Sequence, residues 1–262
     1  MNANAEAVSE KSILLREDNE GVTTLTLNRP AQYNALSSEM LAELQAALDA
    51  IDTDDSVRVV VIAANGKAFC PGHDLKQMRS SEEREFHQAL FDQCAKVMLT
   101  INQLQQPVIA RVHGIATAAG CQLVAMCDLA VAAEEARFAV SGIHVGLFCS
   151  TPAVPLSRNV SRKQAMQMLL TGDFISAEQA LQYGLVNSVV VPEELETRVA
   201  ELAGKIAAKS SPAIRTGKNM FYRQLDMELD EAYIFASETM ACNLGNDDAR
   251  NGIDAFINKS KK

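Results

Sequence analysis

The stretch Pro107-Val-Ile-Ala-Arg-Val-His-Gly-Ile-Ala-Thr-Ala-Ala-Gly120-Cys-Gln-Leu-Val-Ala-Met126 decides the fold of this chain. Its first six residues form an apolar run with the length and branching of a buried strand. Residues 113–120 are mostly small, and residues 121–126 are typical of a helix that begins directly after them. A strand, a small-residue turn and a helix N-terminus together direct unpaired backbone N–H groups at one place, where they can stabilise an anion or a developing oxyanion.

A stretch of low charge follows this unit. The apolar run Leu129–Ala133 predicts another buried strand, and Phe138–Ser150 after it is poor in charge and rich in small residues. We interpret residues 107–150 as one wall and the lid of a pocket.

Upstream of this stretch, the patterns predict a hairpin and a helix. The runs Ile13–Arg16 and Val22–Leu27 flank a turn-forming segment and predict a β-hairpin. Ser37 or Ser38 can cap a helix that continues to about residue 52, because either hydroxyl can accept from the first-turn N–H groups.

Continuous apolar segments and amphipathic segments then indicate the fold class. Val57–Ala63 predicts an interior strand, and Glu82–Leu104 predicts a long helix before the strand at residue 107. Repeated β–α–β steps predict a layered α/β core with right-handed connections. Beyond about residue 155 the pattern is mainly helical, with a capping box at Ser176–Gln179 and a last short strand at Val186–Val191.

Length and composition limit the class of protein. At 262 residues the chain predicts one large domain, or one domain with an appendage. Its net charge of −9 argues against general binding to nucleic acid or an anionic membrane. No apolar run approaches the roughly 20 residues of a spanning helix, so no membrane insertion is expected. The polar N-terminus lacks the apolar segment of a secretion signal, and the six cysteines include no CxxC pair. A cytoplasmic protein with reduced thiols is therefore predicted.

A second strand–turn–helix junction lies at Asn65–Lys76. Each junction can offer one backbone N–H group, from His73 after Gly72 and from Ala119 ahead of Gly120. Two such donors that converge on one carbonyl oxygen would form an oxyanion hole. Neither junction carries a G-x-G-x-x-G or P-loop pattern, which argues against a dinucleotide or P-loop site. Two tight turns in an α/β core, without a chemical role, are the alternative.

Eight short motifs follow one another in a characteristic order: Asn28-Arg29-Pro30, Asn34-Ala35-Leu36, Ala68–Leu75, Pro107–Ala110, Gly114, Ala119–Leu123, Cys127-Asp128 and Leu170–Asp173. In order and spacing they resemble the enoyl-CoA hydratase (crotonase) superfamily over about residues 13–259, and residues 71–74, 118–123 and 145–152 resemble one subtype of it. The resemblance implies an α/β, crotonase-like spiral core of repeated ββα units at 12–200, preceded by a flexible N-terminus at 1–11. It also implies a helical C-terminal trimerisation region at 201–262 and a homotrimer, or a hexamer made of two trimers.

The same resemblance implies how the site binds a substrate. An acyl-CoA thioester would place its carbonyl between the His73 and Ala119 amides. Coenzyme A would be part of the substrate, and neither a separate cofactor nor a metal is expected. Lys259 would reach an ADP phosphate. The pantetheine and adenine path would be lined by Ala35, Leu36, Gly72, Asp74 and Leu75.

The chain departs from the family where proton transfer is expected. Hydratases of the family hold a water between two glutamates, and those two positions carry Gln122 and Gly142 here. A position that carries the acid in some isomerases of the family is Ser150. A glutamine amide can hold a water but cannot take or give a proton at neutral pH. Acid–base groups typically contribute about 10²–10⁴-fold each, so we expect hydration by the usual route to be weak.

Two other side chains could take part in chemistry. On an extended segment His144 would share the face of Gly142 and could act as a general base, and a hydrogen-bonded structural histidine is the alternative. Cys149 could be a nucleophile if its pKa were lowered, or it could be a small buried hydrophobic residue.

Three functions are compatible with these patterns. The first is an acyl-CoA enzyme that stabilises a thioester enolate, with weak or altered hydratase activity, or with thioester hydrolysis or isomerisation instead. The second is a catalytically impaired protein that binds acyl-CoA or regulates its use. The third is a structural partner of active relatives.

Overall fold

The structure, a computed structural model, describes residues 12–259, but not the side chain of Lys259. The segment 1–11, which was expected to be flexible, lies outside the described residues. The strands are β1 (Leu14–Asn19), β2 (Val22–Leu27), β3 (Val59–Ala64), β4 (Ala68–Cys70), β5 (Val108–Val112), β6 (Ile115–Thr117), β7 (Leu129–Ala133), β8 (Arg137–Ala139), β9 (Ile175–Ser176) and β10 (Ser188–Val190). The α-helices are α1 (Ser38–Asp52), α2 (Leu75–Met78), α3 (Arg84–Gln103), α4 (Ala119–Met126), α5 (Ser150–Asn159), α6 (Arg162–Thr171), α7 (Ala177–Tyr183), α8 (Leu195–Ala207), α9 (Ser211–Gln224), α10 (Leu229–Leu244) and α11 (Asp247–Lys259).

The larger sheet has six strands in the order β1-β2-β3-β5-β7-β10. Strands β1 and β2 are antiparallel, which confirms the predicted hairpin, and its turn at Glu20 and Gly21 has φ angles of 48° and 80°. Two positive φ angles are typical of the type I′ hairpin turn. All other neighbours in this sheet are parallel. Strand β3 lies between β2 and β5, so the prediction of an interior strand is confirmed.

A second sheet, in the order β4-β6-β8-β9, was not predicted. Strand β6 lies inside the tract 113–120 that we interpreted as a turn. These strands have two or three residues each, which is too short to show an alternating pattern. Strands β4 and β6 are parallel neighbours, and each leads directly into one of the two small-residue turns. The two turns therefore leave the same edge of this sheet side by side.

The helices follow the signals at their ends. Ser37, rather than Ser38, caps α1, because its Oγ accepts a hydrogen bond from the Met40 amide at 3.2 Å. The predicted capping box at the start of α7 is confirmed. Helix α8 packs Leu195, Val199 and Ala203 against the larger sheet, so the predicted division of the chain at residue 200 falls inside this helix.

A buried ionic cluster joins helix α9 to the core. The Lys218 Nζ atom lies 2.7 Å from Asp128 Oδ2 and donates to the carbonyls of Ile101 and Gln106, each at 3.0 Å. The Tyr222 hydroxyl donates to Asp128 Oδ1 at 2.8 Å. Burial lowers the pKa of Lys218, and the negative charge of Asp128 opposes this shift. Because all these partners lie in the core, the cluster fixes the position of α9.

The C-terminal helices otherwise bury little. Apart from the Lys218 side chain, which is 7% exposed, the described residues of α9 are not buried, and α10 buries only Ala232. None of the helices in the described part of the chain is long and apolar enough to cross a bilayer. The large apolar side chains that these helices leave exposed include Phe221, Leu225, Leu229, Tyr233, Ile234, Met240 and Phe256.

The buried cluster predicts a contrast in stability. Lys218→Ala leaves the Asp128 carboxylate without its cationic partner, although the Tyr222 hydroxyl and the Val108 amide still donate to it, so we expect the free energy of unfolding to fall by about 3–5 kcal/mol. Arg250→Ala breaks an exposed pair with Asp247 and should cost about 1 kcal/mol or less. Urea unfolding of both variants measures the difference, and equal losses would show that the cluster does not hold α9.

Candidate active site

The two small-residue turns meet in space. Gly72 has a φ of +102°, and a Cβ atom placed on it would lie 2.9 Å from the Ala118 Cβ and 3.1 Å from the Ala119 nitrogen. A Cβ atom on Gly120 would lie 2.0 Å from the Cys70 carbonyl oxygen. Glycine is needed at both positions because the backbones approach so closely. The turn after β4 and the start of α4 are thus in direct contact.

The backbone N–H group of His73 points away from the neighbouring backbone of Leu36. Leu36 donates to the Gly72 carbonyl at 2.8 Å and accepts from the Asp74 amide at 3.3 Å, which forms a parallel bridge around His73. In such a bridge the neighbours of the central residue make the bonds, and its own N–H group points to the opposite side. The backbone N–H group of His73 has no acceptor in the described part of the chain.

The Ala119 amide is the first donor of helix α4. Ala118 before it has φ 50° and ψ −121°, a combination that is rare for a residue with a side chain and costs about 1–3 kcal/mol. A hydrogen bond from the Ala118 amide to the Ala139 carbonyl, 3.0 Å long, holds this turn. As the first residue of its helix, Ala119 has no intrahelical acceptor, and residues 12–259 supply no other.

A cavity of about 780 Å³ contains both positions in its lining. Of the predicted path residues, Ala35, Asp74 and Leu75 line it. Leu36 and Gly72 do not; they are buried behind it and act through the bridge just described. Lys259 ends α11, and its side chain lies outside the description. The other lining residues that matter below are Met78, Phe91, Gly142, Leu147, Phe148, Cys149 and Ser150.

The cavity is poor in groups that transfer protons. Among its described lining residues Asp74 is the one carboxylate, and its Oδ1 atom accepts from the first-turn amides of Lys76 and Gln77. Gln122 is 4% exposed and does not line the cavity, and its Oε1 atom has no hydrogen-bond partner among the residues described. Residues 12–259 hold no group of three or more His, Cys, Asp and Glu side chains placed for a metal ion.

The region that follows β8 differs from the prediction. Ser141–Val145 is a 3-10 helix rather than an extended segment, so two residues along the chain do not share a face. His144 consequently points away from the cavity, and its Nε2 atom lies 2.8 Å from the Thr171 carbonyl oxygen. The extended backbone that was assumed when His144 was predicted as a general base is therefore wrong, and the Thr171 contact matches the alternative of a hydrogen-bonded structural histidine.

Cys149 occupies the space beside Gly142. A Cβ atom on Gly142 would lie 2.7 Å from the Cys149 Sγ atom, which accepts a hydrogen bond from the Gly142 amide at 3.2 Å. Burial raises the pKa of Cys149, an effect opposed by that hydrogen bond. This matches a small buried hydrophobic residue better than an activated nucleophile. The tight contact also leaves no room for a longer side chain at position 142 without movement.

The imidazole ring of His73 lines the cavity. Its ring packs edge-on against Phe91 with the ring centres 5.3 Å apart, and burial lowers its pKa, which the Leu36 backbone only partly offsets. Sequence reasoning missed Phe91, because it lies in helix α3 and only the fold brings it to the turns.

A family model described as enoyl-CoA hydratase/isomerase matches residues 17–262. This chain belongs to that family. It is 46% identical over 243 residues to the human protein "Enoyl-CoA hydratase domain-containing protein 3, mitochondrial", which covers 92% of this chain and 80% of the relative. The "Crotonyl-CoA hydratase" of Syntrophomonas wolfei is 34% identical and covers 95% of this chain and 96% of the relative.

Solved structures of the enoyl-CoA hydratase/isomerase family confirm the crotonase-like α/β fold. The crystal structure of an enoyl-CoA hydratase from Mycobacterium smegmatis has a TM-score of 0.94 and 57% identity, and it covers 95% of this chain and 97% of that one. The human relative is of the subtype that residues 71–74, 118–123 and 145–152 resemble, so that prediction is confirmed.

The predicted cytoplasmic location is wrong on this comparison, because that relative and its counterparts from four other vertebrates are all named mitochondrial.

The contact at Gly72 predicts opposite effects of two glycine substitutions. Gly72→Ala adds a methyl group at a positive φ and against Ala118, so we expect the free energy of unfolding to fall by about 1–3 kcal/mol. Gly204→Ala is the control, because it lies in α8 with no atom within 4 Å of the new Cβ. It should raise the free energy of unfolding by about 0.5–1 kcal/mol. A Gly72→Ala variant that unfolds like the wild type in urea would contradict the close approach of the turns.

Proposed function

We propose that this family member binds an acyl-CoA thioester in the cavity, with the thioester oxygen between the His73 and Ala119 amides. The observation that carries the proposal is the contact of the two turns at Gly72, which brings two backbone donors without protein acceptors to one cavity. Hydrogen bonds from both donors would stabilise negative charge on the thioester oxygen, as in an enolate. Coenzyme A would enter as part of the substrate along Ala35, Asp74 and Leu75.

Hydration of 2-enoyl-CoA would be weak. The positions of the family glutamates carry Gln122, which is buried without lining the cavity, and Gly142, which has no side chain. Ser150 lines the cavity, but its hydroxyl is neither an acid nor a base near neutral pH. Syn addition of water requires one group to remove a proton from water and another to protonate the α-carbon. With neither family glutamate present, each missing contribution is about 10²–10⁴-fold.

The absence of both family glutamates also favours a second function. The protein would then bind acyl-CoA without turning it over and would sequester or report the ligand. Loss of proton-transfer groups with retention of backbone donors is the pattern expected for this function, because binding requires the donors alone. Thioester hydrolysis or isomerisation would use the same oxyanion donors with a different partner group.

The test combines turnover, binding and infrared spectroscopy. We expect the protein to bind crotonyl-CoA and to consume its enoyl absorbance at least about 10²-fold more slowly than the Syntrophomonas wolfei enzyme does. In the bound ligand, labelled with ¹³C at the thioester carbonyl, the carbonyl stretch should move to lower wavenumber because two amides donate to it. Release of free thiol in the same mixture would report hydrolysis.

Ala119→Pro removes one donor. Proline is tolerated at the first position of a helix, and Ala119 is that position in α4, but the positive φ of Ala118 is unfavourable before proline and adds strain to this variant. We expect the carbonyl shift to shrink and any turnover to fall about 10²–10³-fold. Arg162→Pro is the matched control, because it is an exposed first position of α6 away from the cavity. An unchanged carbonyl shift in Ala119→Pro, or no binding by the wild type, would contradict the proposal.

We also propose that copies of the chain associate through the C-terminal helices as a trimer or a hexamer. The apolar side chains of Leu229, Tyr233 and Phe256 are 74%, 69% and 77% exposed, which is unusual for large residues of a monomer. An association of identical chains would bury them.

Light scattering after gel filtration tests this association. Tyr233→Glu with Phe256→Glu should reduce the mass towards the 28.4 kDa of one chain, because charges would enter the interface. Leu99→Glu, at an exposed apolar residue of α3, should not change it. A wild type that elutes at the mass of one chain would contradict the association.

A further inference from the structure

We infer that Asn34 is a positioning residue for the His73 donor, an inference that rests on the proposed function. Asn34 is completely buried and does not line the cavity, so it can act only through other residues. Its side chain makes three hydrogen bonds to backbone groups. Its Nδ2 atom donates to the carbonyls of Asn65 at 2.8 Å and Ala68 at 2.9 Å, and its Oδ1 atom accepts from the Arg29 amide at 2.9 Å.

These bonds connect the loop before α1 to the segment that carries His73. Asn65 and Ala68 are the two ends of the turn between β3 and β4, so the amide fixes where β4 begins. Two residues after Asn34, the backbone of Leu36 pairs with Gly72 and Asp74, on either side of His73. The loop is therefore attached to both ends of the segment 68–74. Its placement sets the plane of the His73 peptide and the direction of its N–H group.

The backbone at this position supports the same role. Tyr33 and Asn34 have φ angles of 53° and 65°, in the left-handed region. Asparagine is one of the few residues with a side chain that visits this region readily. Glycine would accept the conformation but make none of the three bonds, and aspartate would keep the shape but could not donate. Asparagine alone among these three provides both the turn and the two donors.

The experiment compares two amide-to-carboxylate changes. Asn34→Asp removes the donors to Asn65 and Ala68 while preserving the size of the side chain. Gln106→Glu is the matched control, because Gln106 is 1% exposed and its Nε2 atom donates to the carbonyls of Ile51 and Asp54, away from the cavity. Both variants place a carboxylate against backbone carbonyls in the core. Asn34→Gly is a second test that introduces no charge.

The readout is the infrared shift of ¹³C-labelled crotonyl-CoA bound to each protein, with the melting temperature measured in parallel. We expect Asn34→Asp and Asn34→Gly to lose at least about half of the carbonyl shift, because a misdirected donor binds the oxygen poorly. Gln106→Glu should lower the melting temperature and preserve the shift. Should Asn34→Asp not fold, the result for Asn34→Gly decides.

The outcomes separate this inference from the proposed function. A wild-type carbonyl without any shift contradicts the oxyanion site itself. A wild-type shift that persists in both Asn34 variants overturns the inference but leaves the site intact. Equal loss of the shift in Gln106→Glu also overturns it, because the effect would then follow from general destabilisation rather than from the position of Asn34.

Discussion

The structure depends on the parallel pairing of β4 with β6, which brings the two small-residue turns to one edge of the smaller sheet. The turns can touch only because Gly72 and Gly120 lack side chains, and Gly120 lies directly against the Cys70 carbonyl. A side chain at either glycine would separate the end of β4 from the start of α4. The close approach is stabilised on one side by the Leu36 bridge and on the other by the hydrogen bond from the Ala118 amide to the Ala139 carbonyl. Thus the two amides are held by backbone contacts and by the buried side chain of Asn34, and not by side chains that line the cavity.

In the proposed function, the backbone groups that bind the thioester oxygen are different from the side chains that would transfer protons. Backbone donors persist whatever side chains the sequence carries, whereas acids and bases are lost by single substitutions. In this chain the Cys149 thiol packs where a side chain on Gly142 would begin, and Gln122 is buried behind the lining. Replacing Gly142 by glutamate would therefore require the 141–149 segment to move. This packing agrees with the proposal that the protein does not rely on rapid hydration.

The sequence predicted those parts of the fold whose pattern is long. The interior strand at Val57–Ala63, the hairpin and the helix of residues 82–104 all have enough residues to show periodicity. The second sheet could not be predicted, because its strands are too short. The prediction for His144 assumed an extended segment, whereas residues 141–145 form a 3-10 helix that places the His144 Nε2 atom 2.8 Å from the Thr171 carbonyl oxygen. For the candidate site, the two small-residue junctions predicted His73 and Ala119, and the structure brings both to one cavity, while Asn34 became informative only when its three backbone partners were known.

A crystal structure with a non-reactive acyl-CoA analogue tests the central claim most directly. The account predicts that the carbonyl oxygen of the analogue lies about 2.7–3.1 Å from the amide nitrogens of both His73 and Ala119, with no carboxylate beside the acyl chain. A carbonyl that contacts neither amide, or an aspartate or glutamate placed against the acyl α- and β-carbons, would contradict it.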